Sequence, residues 1–200
     1  DDLPHSVHGA ALKLEENGFY EQAKVWYNRV KTAWPDDPMA DAATVDLKVC
    51  DIRAMIGTTS YSTVEAQVNQ LMSDFSGHEQ LPKAVWRVAA EYFRQAGRLG
   101  MQGSSEQMQE SYRNAANIWD KVINQLPRSS SIPEACNLAG VCYEKLGEYD
   151  KANICYQKAI DGYKGCRMRG DMIYKAGRNY EKMKQAGMLS TEQADSHART

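Results

Sequence analysis

Glycine recurs at Gly18, Gly57, Gly97, Gly147 and Gly187, at intervals of 39, 40, 50 and 40 residues. Each stands between two segments whose apolar residues repeat at helical spacing, as in Ala84, Val88, Tyr92 and Ala96, or Ala115, Ile118, Trp119, Val122 and Ile123. A recurrence of this length means stacked two-helix units, because each unit alone cannot bury its apolar face. No stretch alternates apolar and polar residues long enough to make a strand, so the chain is expected to be all-α. Helices are predicted over 5–17, 20–34, 38–56, 62–75, 81–97, 105–126, 133–146, 149–164 and 167–187, with a tenth beginning near 191 and cut short. Ser62–Glu65 and Ser104–Gln107 have capping-box spacing. Pro38 after Asp37 and Pro133 before Glu134 suit first helical turns. Short polar turns make neighbouring helices antiparallel. The long interval is assigned to a flexible insertion, GMQGSS at 100–105.

Within the units a second pattern repeats. The fourth has Cys136, Ala139-Gly140 and Tyr143 on its first helix and Ala152, Tyr156 and Ala159 on its second. The third has Trp86, Ala89-Ala90 and Phe93, then Ala115, Trp119 and Pro127. The first has Val7, Ala10-Ala11 and Leu14, then Ala23, Tyr27 and Pro35; the fifth keeps Ile173, Ala176-Gly177 and Tyr180. Small residues let two helices approach, aromatics fill the gap to the next unit, and proline stops the second helix. This pattern resembles the tetratricopeptide repeat family. The resemblance implies a right-handed α-α superhelix, a solenoid of antiparallel helix pairs, forming one domain over 1–200. Its units fall at about 5–35, 38–78, 81–127, 133–164 and a truncated 167–200. The second unit departs from the pattern: Asp46 and Arg53 occupy positions usually apolar, so distortion or a shifted register is expected there. The segment SDFSGHEQLPKAVWRVAAEYFRQAG, 73–97, is similar to the bacterial envelope variant of these repeats, found in outer-membrane-assembly lipoproteins and Tol–Pal-associated proteins, with Ser76 where those have proline. Such relatives are adaptors.

Composition narrows the chemistry. A formal net charge of −2 lacks the basic footprint that nucleic-acid binding needs. No apolar run is long enough to cross a bilayer. The start DDLPHSVHGA, without Met, has the look of a mature or excised fragment. Cys50, Cys136, Cys142, Cys155 and Cys166 show no metal-ligand spacing and are expected to pack as small apolar residues, although one disulfide among the last four is an alternative. Glu110-Ser111 near GMQG resembles, in reversed order, fragments of lytic transglycosylases, but Glu110 falls on a polar helix face without a desolvating pocket. His5 and His8 share a helical face with no third ligand, which favours a solvated face over a metal site; His78 and His197 add nothing. Gly97, Gly100 and Gly103 lack the Lys-Ser/Thr of a phosphate loop, and the methionines are scattered. Lys164, Arg167 and Arg169 form a small basic cluster, expected to be a solvated turn. No cofactor or metal is implied, and the chain is expected not to be an enzyme.

What remains is the groove that the family resemblance implies. Its lining would be Arg87, Glu91 and Arg94 in the third unit, Asn137, Val141 and Glu144 in the fourth, and Tyr174, Arg178 and Glu181 in the fifth. Alternating Arg and Glu with a Tyr suits recognition of a partner's peptide or helix. The lysine and asparagine set that clamps a C-terminal carboxylate in some relatives is not reproduced. The expected function is a non-enzymatic adaptor or scaffold, with cell-envelope assembly as its setting. The alternative is a helical accessory domain of a larger enzyme whose catalytic module lies elsewhere. The expected location is the periplasm or envelope, with the cytoplasm as the alternative, and the truncated end could support a homodimer.

Overall fold

The computed structural model describes residues 3–126 and 129–189. Among them are nine helices and no strand: α1 (Leu3–Glu16), α2 (Tyr20–Ala33), α3 (Pro38–Met55), α4 (Tyr61–Asp74), α5 (Leu81–Met101), α6 (Ser105–Gln125), α7 (Ile132–Lys145), α8 (Tyr149–Gly162) and α9 (Arg169–Gln185). The tenth helix expected near 191, with His197, and the repeat-ending Pro127 lie outside the described residues. The fold is an all-α helical repeat. No helix is long and apolar enough to cross a membrane among the described residues. The helices group into two compact lobes, one up to Glu91 and one from Tyr92 onward.

One turn recurs. After α1, Gly18 adopts φ 83°; its N–H donates to Glu15 O at 3.0 Å, and the Phe19 N–H donates to Leu14 O at 2.9 Å. These two bonds are the Schellman closure, which satisfies the last helical carbonyls and needs a left-handed residue where glycine costs nothing. Gly147 after α7 and Gly187 after α9 make the same pair of bonds. So does Gly103, whose N–H donates to Gly100 O while Ser104 N–H donates to Leu99 O. The segment 100–105 is therefore an ordinary turn of the repeat and not a flexible insertion: Gly97 and Gly100 lie inside α5, and only residues 102–104 connect it to α6. The long glycine interval has a different cause. Helices α5 and α6 have 21 residues each, where α1, α2, α7 and α8 have 14.

The N-terminal lobe pairs α1 with α2, packs α2 and α1 on α3, and joins α3 to α4 through residues 56–60. Its apolar core is Ala11, Ala23, Tyr27, Val30, Ala43 and Cys50, with Val7, Leu14, Trp26 and Leu47 packed around it. Ala23, Tyr27 and Val30 stand at i, i+4 and i+7, which makes the inward stripe of α2. Asp37 caps α3 by accepting from Met39 N at 2.8 Å, with Pro38 in the first turn. The cap of α4 is Ser60, which accepts from Thr63 N; the box predicted at Ser62 is displaced by two residues. Ser104 does stand at the N-cap of α6, but its side chain makes no capping bond.

In the C-terminal lobe α6 packs on α7, α7 on α8 and α8 on α9. Phe93 meets Tyr112 at 5.5 Å and Trp119 at 5.8 Å between ring centroids. Gly140 of α7 lies against the Tyr156 ring of α8 so closely that a Cβ there would collide with it. That contact is the physical reason for a small residue at this position of the repeat. Cys136, Cys142 and Cys155 are buried beside it as free thiols, and Cys50 is a buried free thiol of the other lobe.

Candidate interaction face and a buried charge network

The first helices of the N-terminal pairs carry a set of charges into the interior. Glu15 on α1 is fully buried, and Asp46 and Arg53 on α3 are nearly so, as are Arg87 and Glu91 in the first half of α5. Arg53 pairs with Glu15 through Nη1 and with Glu91 Oε2 at 3.3 Å through Nη2. Arg87 pairs with Glu15 Oε2 at 2.9 Å and, through Nη2, with Asp46. His8 Nε2 lies 2.7 Å from the other oxygen of Asp46. Tyr27 OH donates to Glu15 at 2.8 Å and Tyr20 OH to Glu91 at 2.8 Å. The Arg53 guanidinium lies over the Tyr20 ring at 5.0 Å, and the His8 ring packs on Tyr27 at 5.2 Å. The series Asp46–Arg87–Glu15–Arg53–Glu91 thus links α1, α3 and α5 through charges of alternating sign, with His8 and Tyr20 bonded at its two ends.

Burial alone would raise the pKa of Asp46; the His8 hydrogen bond and the Arg87 charge overcome it and hold the carboxyl below its ordinary value. Burial likewise opposes the charge of Arg87, and Asp46 and Glu15 more than offset it. The Nε atoms of Arg53 and Arg87 are buried with no hydrogen-bond acceptor. A network paired in this way brings little net stability, but removing one member leaves an uncompensated charge in a dry interior.

These placements change the expected groove. Arg87 and Glu91 are not open lining residues, because their side chains are engaged inside the network. His8, expected on a solvated face, is half-buried against Asp46 and Tyr27. Asp46 and Arg53 are partners for the helices before and after. A signal for this existed in the numbering. The pairs His8–Asp46, Glu15–Arg53 and Arg53–Glu91 are each 38 residues apart, at a common register of successive repeats.

The remaining candidates lie in the C-terminal lobe. Asn137, Val141 and Glu144 share one face of α7, at i, i+4 and i+7, and Tyr174, Arg178 and Glu181 do so on α9. Lys175 Nζ joins the two helices by donating to Asn137 Oδ1 at 2.9 Å, again across 38 residues. Asn137 is buried by this bond and by a contact from its Nδ2 to Met168 Sδ at 3.7 Å. Val141 and Glu144 are half-buried, while Arg94, Arg178 and Glu181 are exposed. Tyr174 is 64% exposed, with the Arg178 guanidinium 5.9 Å from its ring centre. Next to this face, the Tyr156 hydroxyl is pushed up first by burial and then by the Glu144 charge. Such a face offers donors, acceptors and an aromatic surface.

Elsewhere Glu110 lies on the exposed side of α6. Among the described residues no group of His, Cys, Asp and Glu is arranged to hold a metal ion. On α9, Met172, Ala176 and Met183 are buried, leaving Ile173 and Tyr174 as its exposed large apolar residues. Two such residues fall far short of the area a stable dimer buries, and the face gives the expected homodimer no support.

Residues 133–161, helices α7 and α8, match the family model described as tetratricopeptide repeat. No curated protein sequence matches the chain. Among solved structures, the chain is similar to the nearly identical TPR-like repeats of a protein described as a putative kinesin light chain from Podosopora anserina. That match has 15% identity and a TM-score of 0.44, covering 98% of this chain and 92% of the other. A form of the same repeats with one residue substituted gives 15% identity and a TM-score of 0.42, covering 100% and 94%. Overlaps of that extent decide nothing further, and the all-α repeat assignment rests on the helix pairs and turns described above.

Proposed function

We propose that this chain is a non-enzymatic protein-interaction module whose α7/α9 face receives a peptide or helix of a partner protein. The observation that carries the proposal is the row Tyr174, Arg178 and Glu181, exposed on α9 beside α7, while the opposite side of α9 is packed. Side chains that are held in place but not used by the fold are the usual material of recognition. The match of α7 and α8 to the tetratricopeptide repeat supports the same reading, since these repeats generally mediate contacts between proteins. An envelope setting belongs to the proposal through the resemblance of 73–97, and fractionation of the full-length protein tests it.

The binding reading is tested by placing a photo-crosslinking residue at Tyr174 and, as control, at Ile154, which is 68% exposed on α8. The Tyr174 site is expected to capture one protein reproducibly in native cells, and Arg178→Glu is expected to abolish that capture. Equal capture from both sites, or capture indifferent to Arg178→Glu, overturns the face.

A further inference from the structure

Charge is distributed very unevenly along this chain. Residues 1–162 contain 16 Lys and Arg against 22 Asp and Glu, whereas residues 163–189 contain 7 against 2. A segment of net +5 is therefore embedded in a protein of net −2. It comprises the turn after α8, with Lys164 and Arg167, and helix α9. On α9, Lys175, Arg178 and Lys182 stand at i, i+3 and i+7, which aligns them along about 10 Å of one face.

Two of these cations are oriented without being neutralised. Lys182 Nζ lies 4.8 Å from the ring centre of Tyr149, and Arg178 lies over Tyr174. An aromatic ring positions a cation but leaves its charge in place. Lys175 is the anchored member, held by Asp171 at 2.6 Å and by Asn137. Among the described residues, Lys164, Arg167, Arg178 and Lys182 have no carboxylate within ion-pair distance. The contrast with the N-terminal lobe is direct: Arg53 and Arg87 each meet two carboxylates there.

We infer that this strip binds an acidic, extended segment of a partner protein. The inference rests on the function proposed above and names the chemistry of the ligand. Carboxylates would meet Arg178, Lys182 and the 164–167 turn, and an apolar side chain would rest on Tyr174 and on Ile173, which is 46% exposed. The 17 residues of α9 run about 25 Å, the reach of seven or eight residues of extended chain. A nucleic acid is the poorer fit. Its affinity grows with the number of phosphates neutralised, and here Asp171 and Glu181 interrupt the strip while the rest of the chain repels a long polyanion. A membrane surface fits poorly too, because Lys175 is tied to Asp171 and Asn137, and Asp171 and Glu181 would face a flat anionic surface alongside the remaining cations.

The test is fluorescence anisotropy on the full chain, with a fluorescein-labelled peptide of about twelve residues, all Glu and Asp apart from one central Phe. A matched peptide has Gln and Asn in place of every carboxylate. The acidic peptide is expected to bind at least about tenfold more tightly than the amide peptide, and to weaken as salt rises from about 0.05 M to about 0.3 M. Arg178→Glu with Lys182→Glu is expected to remove that preference, and the milder Arg178→Gln with Lys182→Gln to reduce it, with circular dichroism reporting that each variant is folded. Lys151→Glu on α8, outside the strip, is expected to leave binding within about twofold. Equal binding of the two peptides overturns the inference while leaving the interaction face standing. So does no binding of either peptide when the Tyr174 crosslink still forms. Loss of that crosslink as well removes the function itself. Tighter binding of phosphatidylserine vesicles or of a poly(U) oligonucleotide than of the acidic peptide also overturns the inference.

Discussion

The two lobes join their helices by opposite means. In the N-terminal lobe, α1, α3 and α5 meet through alternating charges: Glu15 between Arg53 and Arg87, and Asp46 between Arg87 and His8. In the C-terminal lobe, α7 and α8 meet through shape, with the Tyr156 ring on Gly140 and the buried thiols of Cys136, Cys142 and Cys155 on the same two helices. The polar ties of α9 are single hydrogen bonds: Lys175 donates to Asn137 of α7, and Asn179 to Asn153 of α8. The same two-helix plan thus accepts either solution. What differs is how each fails: a charge network fails when one member is lost, and a packed contact fails when its volume changes.

The largest separation between the lobes should come from Arg87→Met, which leaves Asp46 and Glu15 without a cation they share. A loss of about 3–5 kcal/mol is expected in urea unfolding followed by Trp26 and Trp34 fluorescence. A loss under about 1 kcal/mol would mean that the carboxylates find water and that the network is not a dry one. The matching insult to the other lobe is Gly140→Ala, expected to cost about 1–3 kcal/mol by overpacking against Tyr156. Combining it with Tyr156→Leu should cost less than the two single changes together, because they act on one contact.

Acid sharpens the comparison further. Asp46 is held below its ordinary value, so its contribution is complete above about pH 4 and is lost as pH falls through the lower folded value. Asp120 is the reverse case. Burial raises its pKa, and the Tyr143 hydroxyl at 2.6 Å, with nearby lysines, only partly opposes that. Its ionised form therefore costs stability, and that cost disappears as pH falls. On titration below about pH 5, fluorescence of Trp26 and Trp34 should change before that of Trp119, read in single-region tryptophan variants. Simultaneous change would show that the lobes do not titrate separately.

Smaller effects complete the series. Gly177, at the register of Gly140, has nothing near an added Cβ, so Gly177→Ala should stabilise by about 0.5–1 kcal/mol, opposite in sign to its counterpart. Lys24→Ala removes exposed pairs with Glu21 at 2.8 Å and Asp51 at 3.0 Å, and thermal melting should register less than about 1 kcal/mol.

Helix positions were legible in the sequence because periodicity and turn glycine are local properties. Legibility failed where a partner lay in another repeat. Periodicity shows that Asp46 and Arg53 point inward, but it does not show that Glu15, Arg87 and Glu91 wait there for them. Read one helix at a time, Arg87 and Glu91 look like groove residues. Read in steps of 38, Glu91 is the far end of the chain Glu15–Arg53–Glu91, and Arg87 closes the His8–Asp46 pair from 41 residues beyond Asp46. The third repeat misled for a related reason. Gly97 keeps the glycine period of its neighbours, but α5 has helix to spare beyond it, and the left-handed turn forms at Gly103. The α4 cap shows the limit of motif spacing, since Ser60 and Ser62 both precede a helical run and only Ser60 accepts the backbone N–H. Of the groove, the C-terminal residues Tyr174, Arg178 and Glu181 were legible as exposed positions; the excess of cations around them emerges only when charge is counted by segment.

The alternating charges of the N-terminal lobe also fix the order of its parts. The Gly18 and Gly147 turns are alike, and by shape alone one helix pair could stand in for another. Yet α3 meets its neighbours correctly only with a carboxylate behind Arg53 and a carboxylate ahead of it. Deleting, duplicating or exchanging a pair in that lobe would set like charges together or strand one in the interior. The length and order of this stretch are thus protected against recombination between its own repeats, a constraint that the shape-matched pairs α7 and α8 do not impose.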